Sequence, residues 1–237
     1  MAEPAGSVIS VRGEGRRTLA PDYVLLPAAL TVARSHKADA LEAGGAALGR
    51  LIADLRRLGG VPLSTGSEGA SLTWSAQSVT TEVERDHNER TGRFEPTGQI
   101  VATVAVVIAV RDFVGLDALG AALAGHEPLH VHGADWRVDA DNPAWPQVRA
   151  DAVRDAIAKG RDYAAALGGT LHHVEHLADV GLLDGAPGGT PMRAAARLMA
   201  GDGGEPPAAP SLDPMPQEVV AGVEARFVAA GVVLPSR

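Results

Sequence analysis

The chain has 237 residues, a formal net charge of −8 at pH 7 and no cysteine, so disulfides, thiolate catalysis and cysteine-ligated metals are excluded. Lys and Arg total 21 against 29 Asp and Glu, and only Lys37 and Lys159 are lysines. That balance argues against nucleic acid as a partner, because a phosphate-tracking surface needs concentrated positive charge.

Composition is dominated by 43 Ala, 28 Gly and 16 Pro, with only eight aromatic residues, so core volume must come from aliphatic side chains. Met1 to Gly6 lacks the basic start and apolar run of a secretory signal. The longest apolar stretch, Ile100 to Val110, is 11 residues and includes Thr103, well short of a membrane helix. The expectation is a soluble, cytoplasmic protein without an integral membrane segment.

The pattern predicts a flexible N-terminus over 1–6 and a short strand from Ser7 to Arg12, with Gly13-Glu14-Gly15 read as a break, a turn or a bulge. Tyr23 to Arg34 reads as a strand in which Pro27, lacking a ladder donor, suggests an edge or a bulge. From Lys37 to Leu58, apolar residues at spacings of three and four predict a helix, with Ser35 as its cap and Gly59-Gly60 as its stop.

Two long strands follow, Leu72 to Arg85 and Phe94 to Val110, around a polar turn at 86–92. From Ile100 onward both faces of the second strand are apolar, which predicts a central strand buried on both sides. A short helix is expected over Gly115 to Ala124, broken at His126-Glu127-Pro128. A strand over Leu129 to Asp139, a helix over Pro143 to Leu167 and a strand over Thr170 to Ala178 come next.

Residues 181–216 hold seven Gly and seven Pro and read as a loop or linker, with room for a brief helix at Pro191 to Met199. Alternation over 217–230 predicts a terminal strand that returns to the sheet, leaving 231–237 as a tail. Long antiparallel strands interleaved with helices give an α+β fold: one domain over 7–180, completed by the last strand.

Four stretches together resemble the SIMPL domain family, which includes the YggE-like oxidative-stress defence proteins. These are Val11-Arg-Gly-Glu-Gly-Arg16 with Ala20-Pro21-Asp22, the Ala-rich helix Lys37 to Leu58, the strand Gln99 to Val110 followed by Arg111-Asp112-Phe113, and the helix Ala152 to Gly168. The resemblance implies an α+β fold, assembly into multimers and a role in stress tolerance or as an adaptor. It supplies no catalytic residues, and no cofactor is expected.

Gly13-Glu14-Gly15 is no dinucleotide fingerprint, since position 18 is Thr and no helix follows. His130 and His132, at strand spacing i, i+2, share one face, and His172 and His176 are expected to share another. If those two strands were neighbours, their imidazoles could converge on a metal; a solvated histidine-bearing sheet face is the simpler expectation. Asp135, Asp139 and Asp141 suggest turn and capping roles rather than paired-carboxylate chemistry.

Trp74, Trp136 and Trp145 are candidate interface anchors, weighed against core packing, which is favoured. Two functions remain in view. The leading one is a non-enzymatic protein acting as a homo-oligomer or through protein contacts; the alternative is a metal-dependent or small-molecule enzyme using the histidine strands.

Overall fold

The computed structural model describes residues 6–64, 67, 69–182 and 213–232. Most of the Gly/Pro-rich segment, including the brief helix expected at Pro191 to Met199, lies outside the described residues, as do 1–5 and 233–237 of the two ends. In chain order the elements are β1 (Ser7–Leu19), β2 (Tyr23–Arg34), α1 (Lys37–Arg57), β3 (Val61–Pro62), β4 (Leu72–Asn88), β5 (Arg93–Val110), α2 (Leu116–Ala124), β6 (Leu129–Val131), β7 (Asp135–Arg137), α3 (Trp145–Ala166), β8 (Thr170–Asp179) and β9 (Gln217–Ala230). The fold is α+β.

The described residues divide into two compact units, one of 6–20, 138–182 and 216–232, the other of 21–137 and 213–215. The first holds an antiparallel sheet in the order β1-β9-β8. β9 alternates buried and half-buried residues, and its inner face packs Val223, Ala225 and Phe227 against Ala152 and Ala156 of α3. The terminal strand is thus the central strand of this sheet, paired with β1 along the whole length of β1.

The glycine pair expected to interrupt β1 lies inside it. A Cβ at Gly13 would stand 2.1 Å from the Ala152 carbonyl oxygen, and one at Gly15 2.1 Å from that of Val148. Glycine is needed there because the backbone of α3 rests directly on the strand. Side chains then tie the helix down at its flanks. Arg17 Nε donates to Asp151 at 2.8 Å, Lys159 Nζ to the Arg12 carbonyl at 3.0 Å, and the Glu14 backbone N–H to Asp155 at 2.8 Å.

α3 begins two residues later than its pattern suggests, because Asn142 Oδ1 accepts from the Ala144 N–H and closes a turn around Pro143. Asp139 belongs to the same turn, its carbonyl accepting from the Trp145 indole at 2.7 Å. Asp135 is paired instead with Arg137.

The second unit is a six-stranded sheet in the order β3-β4-β5-β2-β6, with β7 also on β2. α1 and α2 pack their apolar stripes on one face of it. Leu51, Leu55, Leu119 and Leu123 meet Leu26, Leu30, Val104, Val106 and Ile108 there. β5 is central, as its sequence predicts, but only one of its faces is buried. Ala102, Val104, Val106, Ile108 and Val110 are buried, whereas Val101, Thr103, Ala105, Val107 and Ala109 are half-buried. Both helices of this unit join the core on the Val104 side, which leaves the other apolar face without a helix from the unit.

Pro27 is neither at an edge nor in a bulge. It pairs with Val107 of β5 on one side and on the other falls between β6, which pairs with Ala28–Leu30, and β7, which pairs with Tyr23–Leu25. Its carbonyl accepts from the His132 N–H at 2.8 Å on that side, so its missing donor faces the gap between the two short strands. The single strand expected over 129–139 is split for a related reason, as Gly133 sits at φ +130°, a conformation that ends β6 before β7 starts.

In α1 the Ser35 cap is not made, and His36 occupies the cap position with no side-chain bond. The polar turn between the long strands is narrower than 86–92, because pairing continues to Asn88↔Arg93.

Candidate interaction surface

β4 and β5 run together well past the end of β2. β2 pairs with β5 from Val110 back to Ile100, while β4 follows β5 down to Arg93. Beyond Ile100 the hairpin is a two-stranded ribbon. Two irregularities in pairing shape it, one at Ala76/Ser78 and one at Val83/Arg85 opposite Ile100/Pro96. The second contains Gly98 at φ +83°, and Thr97 Oγ1 there donates to Glu84 at 2.7 Å. Bulges of this kind bend and twist a ribbon.

Its tip is closed by a polar network. Asn88 Nδ2 donates to Glu95 at 2.8 Å and Thr91 Oγ1 to the same carboxylate at 2.9 Å. These bonds, that of Asn88 first, hold the Glu95 carboxyl below the usual glutamate range.

The outer side of β4 is covered only at its start, where β3 pairs with Thr73 and Trp74. From Ser75 to Asn88 no strand among the described residues pairs with that side. Its first seven residues, Ser75-Ala-Gln-Ser-Val-Thr-Thr81, carry no charge and no proline. Unpaired N–H and C=O groups on such an edge are a template for strand addition. The core-side face of the sheet also continues onto this hairpin. Val79 lies opposite buried Val104, Val83 opposite Ile100, and His87 opposite Phe94. There Val79 is 56%, Val83 52% and Phe94 66% exposed, with the Phe94 ring edge-on to His87 at 5.4 Å. Charge begins at Glu82 and rises toward the tip, so the uncharged part of the edge is confined to the end nearest the sheet.

β6 belongs to the six-stranded sheet and β8 to the three-stranded one, so the two histidine strands are not neighbours in a sheet. All four histidines are exposed, and among the described residues no group of three or more His, Asp and Glu is placed to hold a metal. Two bulges in β8 bring His173 onto the side of His176, and the His172 and His173 rings stand edge-on with centroids 5.2 Å apart. β8 shifts register between Leu171 and His173 and again between Val174 and His176. His173 and His176 are thereby set opposite Val228 and Arg226, with Val174 opposite buried Phe227. Two bulges in one strand override a period-2 reading.

Of the tryptophans, Trp74 and Trp136 are each 5% exposed and belong to the core of the six-stranded unit, so neither offers a contact surface. Trp136 meets Phe113 edge-on at 5.3 Å. Trp145 is half-buried; its indole bond to Asp139 fastens the start of α3, the packing role favoured from its sequence position.

His126, which in the sequence marks only a helix break, is the one histidine with a side-chain partner of this kind among the described residues. Its side chain is 9% exposed and its Nε2 lies 2.9 Å from Asp54 Oδ2. The two are 72 positions apart, and no local signal connects them.

A family model described as SIMPL, protein of unknown function (DUF541), matches residues 9–227 of the chain. No curated protein matches it. The matched span starts in β1 and ends in β9, taking in elements of both units. No helix among the described residues is long and apolar enough to cross a membrane.

Proposed function

The chain belongs to the SIMPL family, a family of unknown function, and from that premise we propose that it is a non-enzymatic protein acting through self-association. The observation that carries this reading is the open outer edge of β4. Seven uncharged residues with unpaired backbone groups adjoin an exposed apolar stripe of Val79, Val83 and Phe94. A second copy laid along Ser75–Thr81 would satisfy those groups by extending the sheet, and would give Val79 a cross-strand neighbour. The charged residues from Glu82 to Arg93 would then limit the pairing to a defined register.

Multi-angle light scattering across a range of protein concentrations tests the reading. A mass that rises to a fixed multiple of the chain supports it, and a monomer at every concentration overturns it. We further infer a role in stress tolerance, which rests on the likeness of the opening strand and the two long helices to the YggE-like proteins. A deletion strain with unchanged survival under peroxide would remove that part of the proposal.

A further inference from the structure

Two adjoining depressions run along the side of α1, with volumes of about 540 and 620 Å³. Arg50, Glu127 and Pro128 line both. Asp54, Arg57 and His126 complete the polar lining of the first, and Arg34 and His130 that of the second. The floor between these groups is alanine, from positions 43, 46, 47 and 53 on one side of α1. Both depressions are open to solvent, and each sets charged side chains beside an alanine surface.

The charges in it are unequally committed. Asp54 accepts from Arg57 and lies at hydrogen-bond distance from His126 Nε2, so one carboxylate is held by two basic side chains. That contact fixes the His126 ring and leaves Nδ1 as its remaining polar atom. Arg50, one turn before Asp54 on the same helix, has no hydrogen-bond or ion-pair partner among the described residues. It stands where the two depressions join. In a chain of net charge −8, this groove gathers three arginines and two histidines against two acids.

We propose that this groove binds a small organic anion, its carboxylate or phosphate group held by Arg50 and its apolar body on the alanine floor. A guanidinium presents a planar fork of donors that matches either oxyanion. Glu127 sets the selectivity, since its charge at the shared rim repels the ligand and limits binding to anions that reach Arg50. The groove lies away from the outer edge of β4, and the inference does not depend on self-association.

The test uses the full-length ¹⁵N-labelled chain titrated with phenyl phosphate and, separately, with benzoate. Saturable shifts of the Ala53, Gly125 and His126 amides are expected with at least one probe. Arg50→Ala should weaken that probe by about tenfold or more, the loss of a charge-assisted contact, with an unchanged melting temperature because Arg50 is exposed and unpartnered. Glu127→Gln should tighten it. The tighter probe of the two identifies the head group. Absence of saturable shifts with both probes, or an Arg50→Ala variant that binds as well as the parent, overturns the proposal.

Discussion

Single residues carry the closest contacts in this protein. At Gly13 an added Cβ would meet backbone atoms of α3, the Ala152 oxygen at 2.1 Å and the Ala156 nitrogen at 2.7 Å. Backbone cannot rotate away as a side-chain tip can, so Gly13→Ala is expected to cost about 2–3 kcal/mol as the helix is lifted. Gly45, exposed in the middle of α1, would meet nothing within 4 Å, and Gly45→Ala should stabilise by about 1 kcal/mol. Urea unfolding of both variants against the parent checks the pair, and equal shifts of the same sign would contradict the packing described.

Two aspartates of α3 give a pH dependence with a definite sign. The Asp155 carboxyl is held below its ordinary value first by the Lys159 ammonium and next by the Glu14 N–H. Asp151 is held low first by Arg17. A carboxyl whose folded value is depressed binds its proton more readily in the unfolded chain, so its stabilising effect is complete above the ordinary aspartate range and fades as pH falls through the folded value. Thermal melting at low ionic strength should therefore be flat near neutrality and fall in acid below the ordinary aspartate value. Asp155→Asn should reduce that acid-side loss while lowering the melting temperature at neutral pH. Both carboxylates keep part of their surface in water, 23% for Asp151 and 34% for Asp155, so added salt should weaken the effect.

At the scale of elements, the sequence was most informative where one face of an element is buried by near neighbours. α1, β5 and β9 all appear where their periodicities put them, because a period of 3.6 or 2 records burial directly. Boundaries shifted where a special residue acts. Gly133 splits one expected strand into β6 and β7, and Asn142 delays α3. β4 is the element that the proposed self-association depends on. Val79→Lys places a charge in the middle of its open edge, 56% exposed in the single chain, so stability should change by less than about 0.5 kcal/mol. The assembled mass by light scattering should fall toward that of one chain. An unaltered mass with lysine at that position would rule out pairing through this edge.

For the whole molecule, the consequential fact is that the last strand is the centre of a sheet whose first strand opens the chain. β9 pairs with β1 on one side and β8 on the other, and Phe227 and Ala225 fill the core under α3. The six-stranded unit has a separate core built from β2, β4, β5, α1 and α2. A chain ended at residue 216 should therefore lose hydrogen-exchange protection over Ser7–Leu19 and Thr170–Asp179 and keep it over Tyr23–Arg34 and the paired part of β5. Uniform loss across both sets would mean that the two cores fold as one.

The sequence by itself determined the α+β class, the order of the long elements and the family, because alternation, helical spacing and turn residues are local properties of the chain. Tertiary structure decided what local signals cannot encode. It turned Gly13 and Gly15 from an apparent break into the bed of a helix more than 130 positions away. It used two bulges to set His173 on the same side of β8 as His176, and it placed β8 and β6 in different sheets. It also brought His126 to Asp54 and left Arg50 uncommitted beside them. Each of these depends on which distant backbone comes close, and that is fixed by how each sheet packs with its own helices rather than by the spacing of residues along any one element.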